Sequence, residues 1–244
     1  MNNIIDGVEV PFDTTFKSIG IGLSGGADSA LLAHILCELI TENNMNVQFH
    51  ILSHTRMWKT KPWQQYDSYR VFQYLQNKFS NITFIRHLNF IAPDLEYGDK
   101  GPTIVDEYGK LVSGDNIQQR SYAEFICKTN NIDAYYNAVT RNPRDVDFVG
   151  MKERDIDPNE TNENLRKVVH MGFLACHPFR FTDKSWVVKQ YKQRDLMDLF
   201  DITRSCEGEI SGLDYTNYVQ GQTVPTCGQC FWCKEREWAI EQNK

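Results

Sequence analysis

The stretch Lys17–Ser29, KSIGIGLSGGADS, decides the fold of this chain of 244 residues. Its first part is short and rich in β-branched residues, which predicts a strand. The second part is a Ser-Gly-Gly turn, and apolar residues at helical spacing follow over Ser29–Thr41. A strand, a glycine-rich turn and a helix in this order are typical of the first half of a β-α-β unit.

Strand and helix patterns alternate along the chain after this turn. Strands are predicted over Val47–Ser53, Ile82–His87 and Ala134–Val139, and helices over Gln64–Phe79, Asn116–Lys128 and Leu196–Phe200. This alternation predicts an α/β fold, a doubly wound and mostly parallel sheet whose ligands bind beyond the carboxyl ends of the strands. Two stretches, Leu88–Ser113 and Arg141–Asn164, are predicted to be irregular loops, and long loops of this kind often carry function.

The turn Ser24–Ser29 predicts a phosphate-binding loop. Two glycines let the backbone approach a ligand, and the first N–H groups of the following helix can hold phosphate oxygens. Asp28 is placed where a carboxylate could bind Mg²⁺ that bridges the phosphates. The alternative is a plain turn in which Asp28 or Ser29 caps the helix. Neither the Walker sequence GxxxxGK[ST] nor the dinucleotide sequence GxGxxG is present.

The seven cysteines divide into two groups. Four of them could chelate one tetrahedral metal ion, because three form a CxxCxxC run and the fourth precedes it: Cys206, Cys227, Cys230 and Cys233. Their spacing favours zinc, with an iron–sulfur centre and a disulfide framework as the alternatives. Three lie in apolar contexts and are expected in the core: Cys37, Cys127 and Cys176.

The composition disfavours several classes of protein. Lys and Arg number 26 against 32 Asp and Glu, and the net charge of −6 argues against a broad basic surface for nucleic acid. No apolar span has the length of a membrane helix, because His34 and Glu38 interrupt Ala30–Ile40. The first residues lack the basic flank and apolar centre of a secretory signal. We therefore expect a cytoplasmic protein with no membrane partner and no stable nucleic-acid complex.

Two motifs carry a resemblance to known enzymes. The string Ser24–Ser29 resembles the SGGxDS signature of the PP-loop ATP pyrophosphatases, and with the C-terminal CxxCxxC run it resembles the 7-cyano-7-deazaguanine synthases of queuosine biosynthesis. Further stretches agree with that family in order and spacing: Gly114–Asn116 with the helix after it, His177–Phe179 with Lys184, Leu196–Cys206 and Cys227–Arg236. The resemblance implies a PP-loop domain over residues 17–200 and a zinc-binding segment over residues 201–244.

The resemblance also implies a nitrile-forming carbon–nitrogen ligase that acts on ATP, ammonia and 7-carboxy-7-deazaguanine, in a family that tends to form homodimers. Mg²⁺ would accompany ATP, and structural Zn²⁺ would bind the four cysteines of the C-terminal group. Asp28 and Lys184 are the implied catalytic residues, and the alternative for Lys184 is a solvated surface lysine. The implied ATP-binding residues are Leu23, Ser24, Gly25, Gly26, Ala27, Asp28 and Ser29. The implied substrate contacts are Asn116, Arg120 and Arg141.

The chain departs from this family at three places. Residues 207–226 separate Cys206 from Cys227, where the family has a much shorter spacer, and Asp115 stands where the family commonly has arginine. Arg141–Asp147 lacks the family's acidic stretch for substrate contact. Three alternatives therefore stay open: a PP-loop enzyme that thiolates tRNA, a related phage or defence enzyme that acts on another base or on a protein, and a zinc-stabilised nucleotide-binding module without turnover.

Basic side chains outside these motifs have a second interpretation. Arg144 is a further candidate for binding anionic groups, but surface salt bridges explain it equally well. His170 and His177 flank an apolar stretch, and we expect both in the core.

Overall fold

The computed structural model describes residues 2–56, 63–91, 103–105, 111–144, 146–148, 151, 168–170, 173–208, 219, 221–222 and 224–244. Its strands are β1 (Asn2–Ile5), β2 (Val8–Pro11), β3 (Ser18–Gly22), β4 (Gln48–Arg56), β5 (Thr83–Ile91), β6 (Thr103–Val105), β7 (Leu111–Ser113), β8 (Ala134–Tyr136), β9 (Val168–His170) and β10 (Phe173–Cys176). Its helices are α1 (Ala27–Glu42), α2 (Trp63–Lys78), α3 (Gly114–Thr129), α4 (Lys184–Gln193), α5 (Met197–Asp201) and α6 (Phe231–Glu241). None of these helices has the length and apolar character needed to cross a membrane.

A six-stranded sheet in the order β5-β4-β3-β8-β10-β9 forms the centre of the protein. The first five strands of that order are parallel, and β9 pairs antiparallel with β10 at the edge. The chain moves outward from β3 to β4 and β5, and then returns to the other side of β3 for β8 and β10. This reversal opens a crevice between the carboxyl ends of β3 and β8. The predicted doubly wound, mostly parallel α/β fold is confirmed.

Helices cover both faces of this sheet. On one face α1 packs between the sheet and α2, α4 and α5, which explains why α1 is apolar almost all round. α6 packs on α4, and its Ala239 belongs to the same core. α3 covers the opposite face, where Ala123, Ile126 and Cys127 pack on Leu52 of β4. The turn Ser24–Ser29 leaves β3 between these two layers.

The predicted elements agree with the structure except at their edges. The predicted strands up to His87 appear as β3, β4 and β5, and the predicted helices appear as α1, α2, α3 and α5. The prediction of a loop throughout Leu88–Ser113 is wrong for its described parts, because β5 continues to Ile91 and β6 pairs antiparallel with β7. These short strands escape notice because glycines and prolines surround them. The predicted strand Ala134–Val139 ends at Tyr136, and residues 137–140 line a cavity instead.

Candidate active site and metal centre

Hydroxyl groups within the turn Ser24–Ser29 hold its shape. Ser24 Oγ lies 3.1 Å from Ser29 Oγ and accepts a hydrogen bond from the Gly26 N–H at 3.2 Å. Ser29 Oγ also lies 3.1 Å from the Gly26 carbonyl oxygen, to which it can donate. Gly26 is the N-cap of α1, and no side chain among the described residues caps that helix, so the interpretation of Asp28 or Ser29 as a cap is wrong. The first N–H groups of α1 are therefore left for a ligand.

Gly25 occupies a position in this turn that requires glycine. Its φ of +83° lies in the left-handed region that favours glycine. A Cβ at this position would lie 2.7 Å from the Ser68 nitrogen and 2.9 Å from the Asp67 carbonyl carbon. The Gly25 carbonyl accepts a hydrogen bond from the Arg204 N–H at 2.8 Å. The turn is thus clamped between α2 and the chain around residue 204, and only glycine fits.

Lys184 is a buried partner of the turn, with 2% of its surface exposed. Its Nζ donates to Asp28 Oδ2 at 2.5 Å, so the interpretation as a solvated surface lysine is wrong. Lys184 begins α4, where Asp183 is the N-cap and accepts hydrogen bonds from the N–H groups of Ser185 and Trp186. Capping fixes the start of α4 and hence the position of the lysine.

The second carboxylate oxygen of Asp28 suits a metal ion. Asp28 Oδ1 is buried, and no hydrogen-bond partner for it lies among the residues that the structure describes. A buried oxygen of this kind costs free energy unless a ligand satisfies it, and carboxylate oxygens are what Mg²⁺ prefers. The hydroxyl of Tyr191 on α4 donates to the Ala27 carbonyl at 2.7 Å and so holds the same turn of α1. Burial raises the pKa of Tyr191 well above its usual range, so it remains a neutral donor.

A cavity of about 840 Å³ opens from the turn. This volume suits a nucleotide with part of a second substrate. Besides the turn and Lys184, its wall has an apolar side and an aromatic and charged side. The apolar side includes Leu52, Ala123, Phe173 and Ala175. The aromatic and charged side includes Trp63, Asp67, Arg204, Cys206 and Trp232.

Tyr135 lies across β3 and forms part of the cavity wall. A Cβ on Gly20 would lie 3.1 Å from Tyr135 Cδ2, and a Cβ on Gly22 would lie 2.8 Å from the Tyr135 hydroxyl oxygen. The two glycines therefore make room for the ring. Burial raises the pKa of Tyr135, so its hydroxyl is protonated at neutral pH. The sequence analysis missed Tyr135, although two glycines on one face of a strand are the signal of a close approach.

Asp67 and Arg204 face each other on the aromatic and charged side of the cavity. Arg204 Nε lies 3.8 Å from Asp67 Oδ2, and both side chains are about nine-tenths buried. Burial raises the pKa of Asp67 to about 6, and the positive charges of Arg204 and Arg70 offset part of that rise. The guanidinium carbon of Arg204 lies 5.6 Å from the centre of the Trp63 ring, within cation–π range.

The guanidinium of Arg204 also holds the segment that leads into the CxxCxxC run. Its Nη1 donates to the Val224 carbonyl, and its Nη2 donates to the Pro225 carbonyl at 2.8 Å. Arg204 stands two residues before Cys206, and Pro225 stands two residues before Cys227. This residue was not among the predicted site residues, and no motif singles it out.

The four predicted metal ligands come together. The Sγ atoms of Cys206, Cys227, Cys230 and Cys233 all lie within 4.8 Å of one another. Cys233 Sγ lies 3.5 Å from Cys230 Sγ and 3.9 Å from Cys227 Sγ. Four sulfurs bound at about 2.3 Å to one tetrahedral ion stand about 3.8 Å apart. All seven cysteines are free thiols, so the disulfide alternative is wrong. A Cβ at Gly208 would overlap Cys227 Sγ, so a glycine closes the turn after Cys206.

Backbone N–H groups favour a thiolate in this cluster. Burial alone would raise the pKa of Cys227, but hydrogen bonds from the N–H groups of Gln229 and Cys230 outweigh it, and the pKa is about 6. The Cys227 N–H in turn lies 3.3 Å from Cys206 Sγ. Burial raises the pKa of Cys206 and of Cys233, so a bound cation is needed before these two thiols are deprotonated as well.

The three remaining cysteines are buried, as predicted. Burial raises the pKa of each, which makes them unreactive: Cys37, Cys127 and Cys176.

Of the predicted substrate contacts, Arg120 lies at the cavity. Its Nε donates to Glu124 Oε1 at 2.9 Å on the same helix. Arg141 is not among the described residues that line the cavity. The side chain of Asn116 lies outside what the structure describes. His177 lines the cavity, so the expectation of a core histidine is wrong for it.

Two other predictions concern basic side chains away from the turn. Arg144 is exposed, in agreement with a surface position. The side chain of His170 lies outside the described residues, as does most of the predicted loop Arg141–Asn164.

Comparisons with protein-family models and with curated sequences give no match. Among solved structures, the U34-tRNA thiolase NcsA from Methanococcus maripaludis, solved with its [4Fe-4S] cluster, aligns at a TM-score of 0.43 and 11% identity over 74% of this chain. The chain spans 57% of the length of that thiolase. NAD+ synthetase from Burkholderia pseudomallei aligns at a TM-score of 0.34 and 11% identity, over 93% of this chain and 79% of that protein.

Proposed function

We propose that this chain is a PP-loop enzyme that uses ATP to adenylate a carboxylate. The observation that carries the proposal is the Lys184–Asp28 pair beside the turn Ser24–Ser29, at the end of a cavity large enough for ATP. A glycine-clamped turn, an uncapped helix N terminus and a buried lysine together form a site for phosphate groups. Asp28 Oδ1 would hold Mg²⁺, which neutralises phosphate charge when it is bound.

In the proposed reaction an oxygen of the substrate carboxylate attacks the α-phosphorus of ATP. The bond from that phosphorus to the bridging oxygen breaks, and pyrophosphate leaves with the electron pair. Lys184 and the first N–H groups of α1 stabilise the charge that develops on the phosphate oxygens. The Ser24 and Ser29 hydroxyls orient those oxygens. No side-chain nucleophile is required, because positioning and charge stabilisation carry the catalysis.

The proposed substrate is 7-carboxy-7-deazaguanine, with ammonia as the nitrogen donor. Ammonia attacks the acyl-adenylate, AMP leaves, and an amide forms. The amide oxygen attacks the α-phosphorus of a second ATP, and pyrophosphate leaves. The nitrogen loses its two protons, and departure of AMP gives the nitrile. This assignment rests on the sequence resemblance, and the apolar side of the cavity could accommodate a flat heterocycle beside the phosphate loop. Residues 17–200 would form the catalytic domain and residues 201–244 the zinc-binding segment.

We also propose that the four cysteines hold one structural Zn²⁺. The separations of 3.5 and 3.9 Å between sulfurs are those of ligands on a single tetrahedral ion. A four-iron cluster instead spreads its thiolates over four separate iron atoms. Four thiolates leave no open position on the ion, as in structural zinc sites. Elemental analysis of protein purified without added metal should find one zinc per chain, and stoichiometric iron would contradict this proposal.

Mass spectrometry of the reaction products tests the substrate assignment. Protein incubated with ATP, Mg²⁺, ammonium and 7-carboxy-7-deazaguanine should convert the acid to the nitrile, and Lys184→Ala should not. Pyrophosphate release without a nitrile would keep the adenylation proposal and discard this substrate. Release that depends on tRNA and a sulfur donor would instead identify a thiolating enzyme.

A further inference from the structure

We propose that Arg204 is a positioning residue that couples metal binding at the four cysteines to nucleotide binding at the turn Ser24–Ser29. The inference rests on the proposed function, since it assumes that the turn binds ATP. Its basis is that one residue reaches both sites. The main chain of Arg204 bonds to the turn, and its side chain bonds to the chain that precedes the CxxCxxC run.

The connection to the nucleotide site passes through Gly25. The Arg204 N–H donates to the Gly25 carbonyl at 2.8 Å, while Ser68 and Asp67 of α2 close against the other side of that glycine. Gly25 has no room to move toward α2, because even a methyl group would overlap the Ser68 nitrogen. A displacement of Arg204 therefore changes the Gly25 peptide and with it the N–H groups that face the phosphates.

The connection to the metal site passes through Cys206 and Cys227. Cys206 lies two residues after Arg204. Cys227 lies two residues after Pro225, whose carbonyl accepts a hydrogen bond from the Arg204 side chain. A metal ion bound by both thiolates fixes the distance between these two strands of chain. The Val224 and Pro225 carbonyls then stay where both arms of the guanidinium reach them. Without the ion, the hydrogen bond from the Cys227 N–H to Cys206 Sγ holds the two cysteines together less firmly than two bonds to one metal would.

A second arginine braces the same segment from α6. Arg236 follows Cys233 on that helix, and its Nη1 donates to Thr203 Oγ1 at 2.8 Å. Its Nη2 donates to the Phe200 carbonyl at 2.9 Å, and its guanidinium carbon lies 3.7 Å from the centre of the Phe200 ring. Arg236 therefore holds residues 200–203 to the helix of Cys233, and Arg204 holds the next residues to the segment that precedes Cys227.

The Arg204 side chain is buried, so the loss of its hydrogen bonds would not be replaced by bonds to bulk water. Only 9% of its side chain is exposed, and Arg204 Nε lies 3.8 Å from the carboxylate of Asp67, beyond hydrogen-bond distance. If the two carbonyls move away, the guanidinium must find another acceptor, and a shift toward Asp67 would also pull its main chain away from the Gly25 carbonyl. Loss of the metal would therefore change both the shape and the charge of the nucleotide site. Coupling of this kind is reciprocal, so ATP must also strengthen metal binding.

The test measures the apparent Zn²⁺ affinity of the full chain by equilibrium competition with a chromogenic chelator, with and without the non-cleavable analogue α,β-methylene-ATP. The analogue should raise the Zn²⁺ affinity of the wild-type chain about tenfold, within the usual range of coupling between sites. In Arg204→Met, which keeps the apolar stem but cannot donate hydrogen bonds, the ratio should fall to about one. Arg194→Met is the matched control, because Arg194 pairs with Glu38, a contact that does not involve the turn or the cysteines.

Two results would overturn the coupling. One is a Zn²⁺ affinity of the wild-type chain that the analogue leaves unchanged although calorimetry shows that the analogue binds. The other is a coupling in Arg204→Met equal to that of the wild type. The wild-type comparison decides the matter alone if Arg204→Met fails to fold. A chain that does not bind the analogue at all contradicts the proposed function itself, so the two failures are distinguishable.

Discussion

Lys184 Nζ donates to Asp28 Oδ2 at 2.5 Å and joins the first residue of α4 to the first turn of α1. The pair brings a buried cation to the helix terminus where phosphate oxygens are expected to bind. In the proposed reaction Asp28 would hold Mg²⁺ through Oδ1, and Lys184 would supply positive charge beside the phosphates. The ion pair thus places one positive and one negative charge beside the expected phosphate site.

Lys184→Ala should lower the rate of pyrophosphate release about 100-fold or more, because it removes the cation that stabilises charge on the phosphates. The variant should also unfold at a lower temperature, since Asp28 is left without its partner. The control is Lys189→Ala on the same helix, whose lysine is about half exposed and pairs with Asp6. Equal activities of the two variants in a pyrophosphate assay would exclude a special role for Lys184.

Gly25→Ala should abolish ATP binding and destabilise the fold. The new Cβ would overlap the Ser68 nitrogen, in addition to a strain of about 1–3 kcal/mol from a positive φ. Gly7→Ala is the matched control, because Gly7 has a φ of +79° but nothing within 4 Å of its Cβ position. Calorimetric titration with ATP should give Gly7→Ala an affinity near that of the wild type. Thermal unfolding of the three proteins should show a larger loss of stability in Gly25→Ala than in Gly7→Ala. Full affinity in Gly25→Ala would show that the clamp on this glycine is unimportant.

Gly22→Ala should destabilise the protein by about 1–3 kcal/mol, because its Cβ would lie 2.8 Å from the Tyr135 hydroxyl oxygen. Tyr135→Phe should relieve that overlap, since the next atom of the ring, Cζ, would lie 3.8 Å away. The double variant should therefore be more stable than the sum of the two single effects predicts. Denaturant unfolding of the four proteins measures this, and strict additivity would mean that the contact is absent.

Asp67→Asn should change the pH dependence of stability. Burial raises the pKa of Asp67 from 3.8 to about 6, so the folded state holds this proton more tightly than the unfolded state does. The stability that protonation contributes is present below the unfolded pKa and is lost as pH rises through about 6. The melting temperature of Asp67→Asn relative to the wild type should therefore rise between about pH 4 and pH 7.

A second carboxylate provides a control of opposite sign for that titration. The pKa of Asp13 is lowered by hydrogen bonds from the Thr15 backbone N–H and hydroxyl. Asp13→Asn should therefore lose stability relative to the wild type as pH rises through that lowered pKa. A constant offset between Asp67→Asn and the wild type at all pH values would contradict the raised pKa of Asp67.

The sequence predicted the parts of this site that follow from local pattern. The turn Ser24–Ser29 lies between a strand and a helix that periodicity reveals, and the CxxCxxC run has the spacing of a metal site. Lys184 could be proposed only through resemblance, because its burial depends on how α4 packs on α1. The order of strands around β3 likewise required the coordinates.

Long-range contacts account for what the sequence analysis missed. Arg204 and Asp67 have no local signature, and Tyr135 has only the indirect one of two glycines on a neighbouring strand, since each acquires its role from a residue distant in the chain. Arg204 meets Asp67 of α2, and Tyr135 of β8 meets Gly22 of the neighbouring strand β3. Such pairs follow from strand order and helix packing, so residue spacing along the chain does not predict them.

Identification of the phosphate bond that is cleaved tests the central claim most directly. ³¹P NMR of the protein with ATP, Mg²⁺, ammonium and 7-carboxy-7-deazaguanine should show AMP and pyrophosphate accumulating together in equal amounts. That signal should depend on the carboxylate and should be lost in Lys184→Ala. Formation of ADP and phosphate, or no consumption of ATP by folded, metal-loaded protein with any carboxylate tried, would contradict the account.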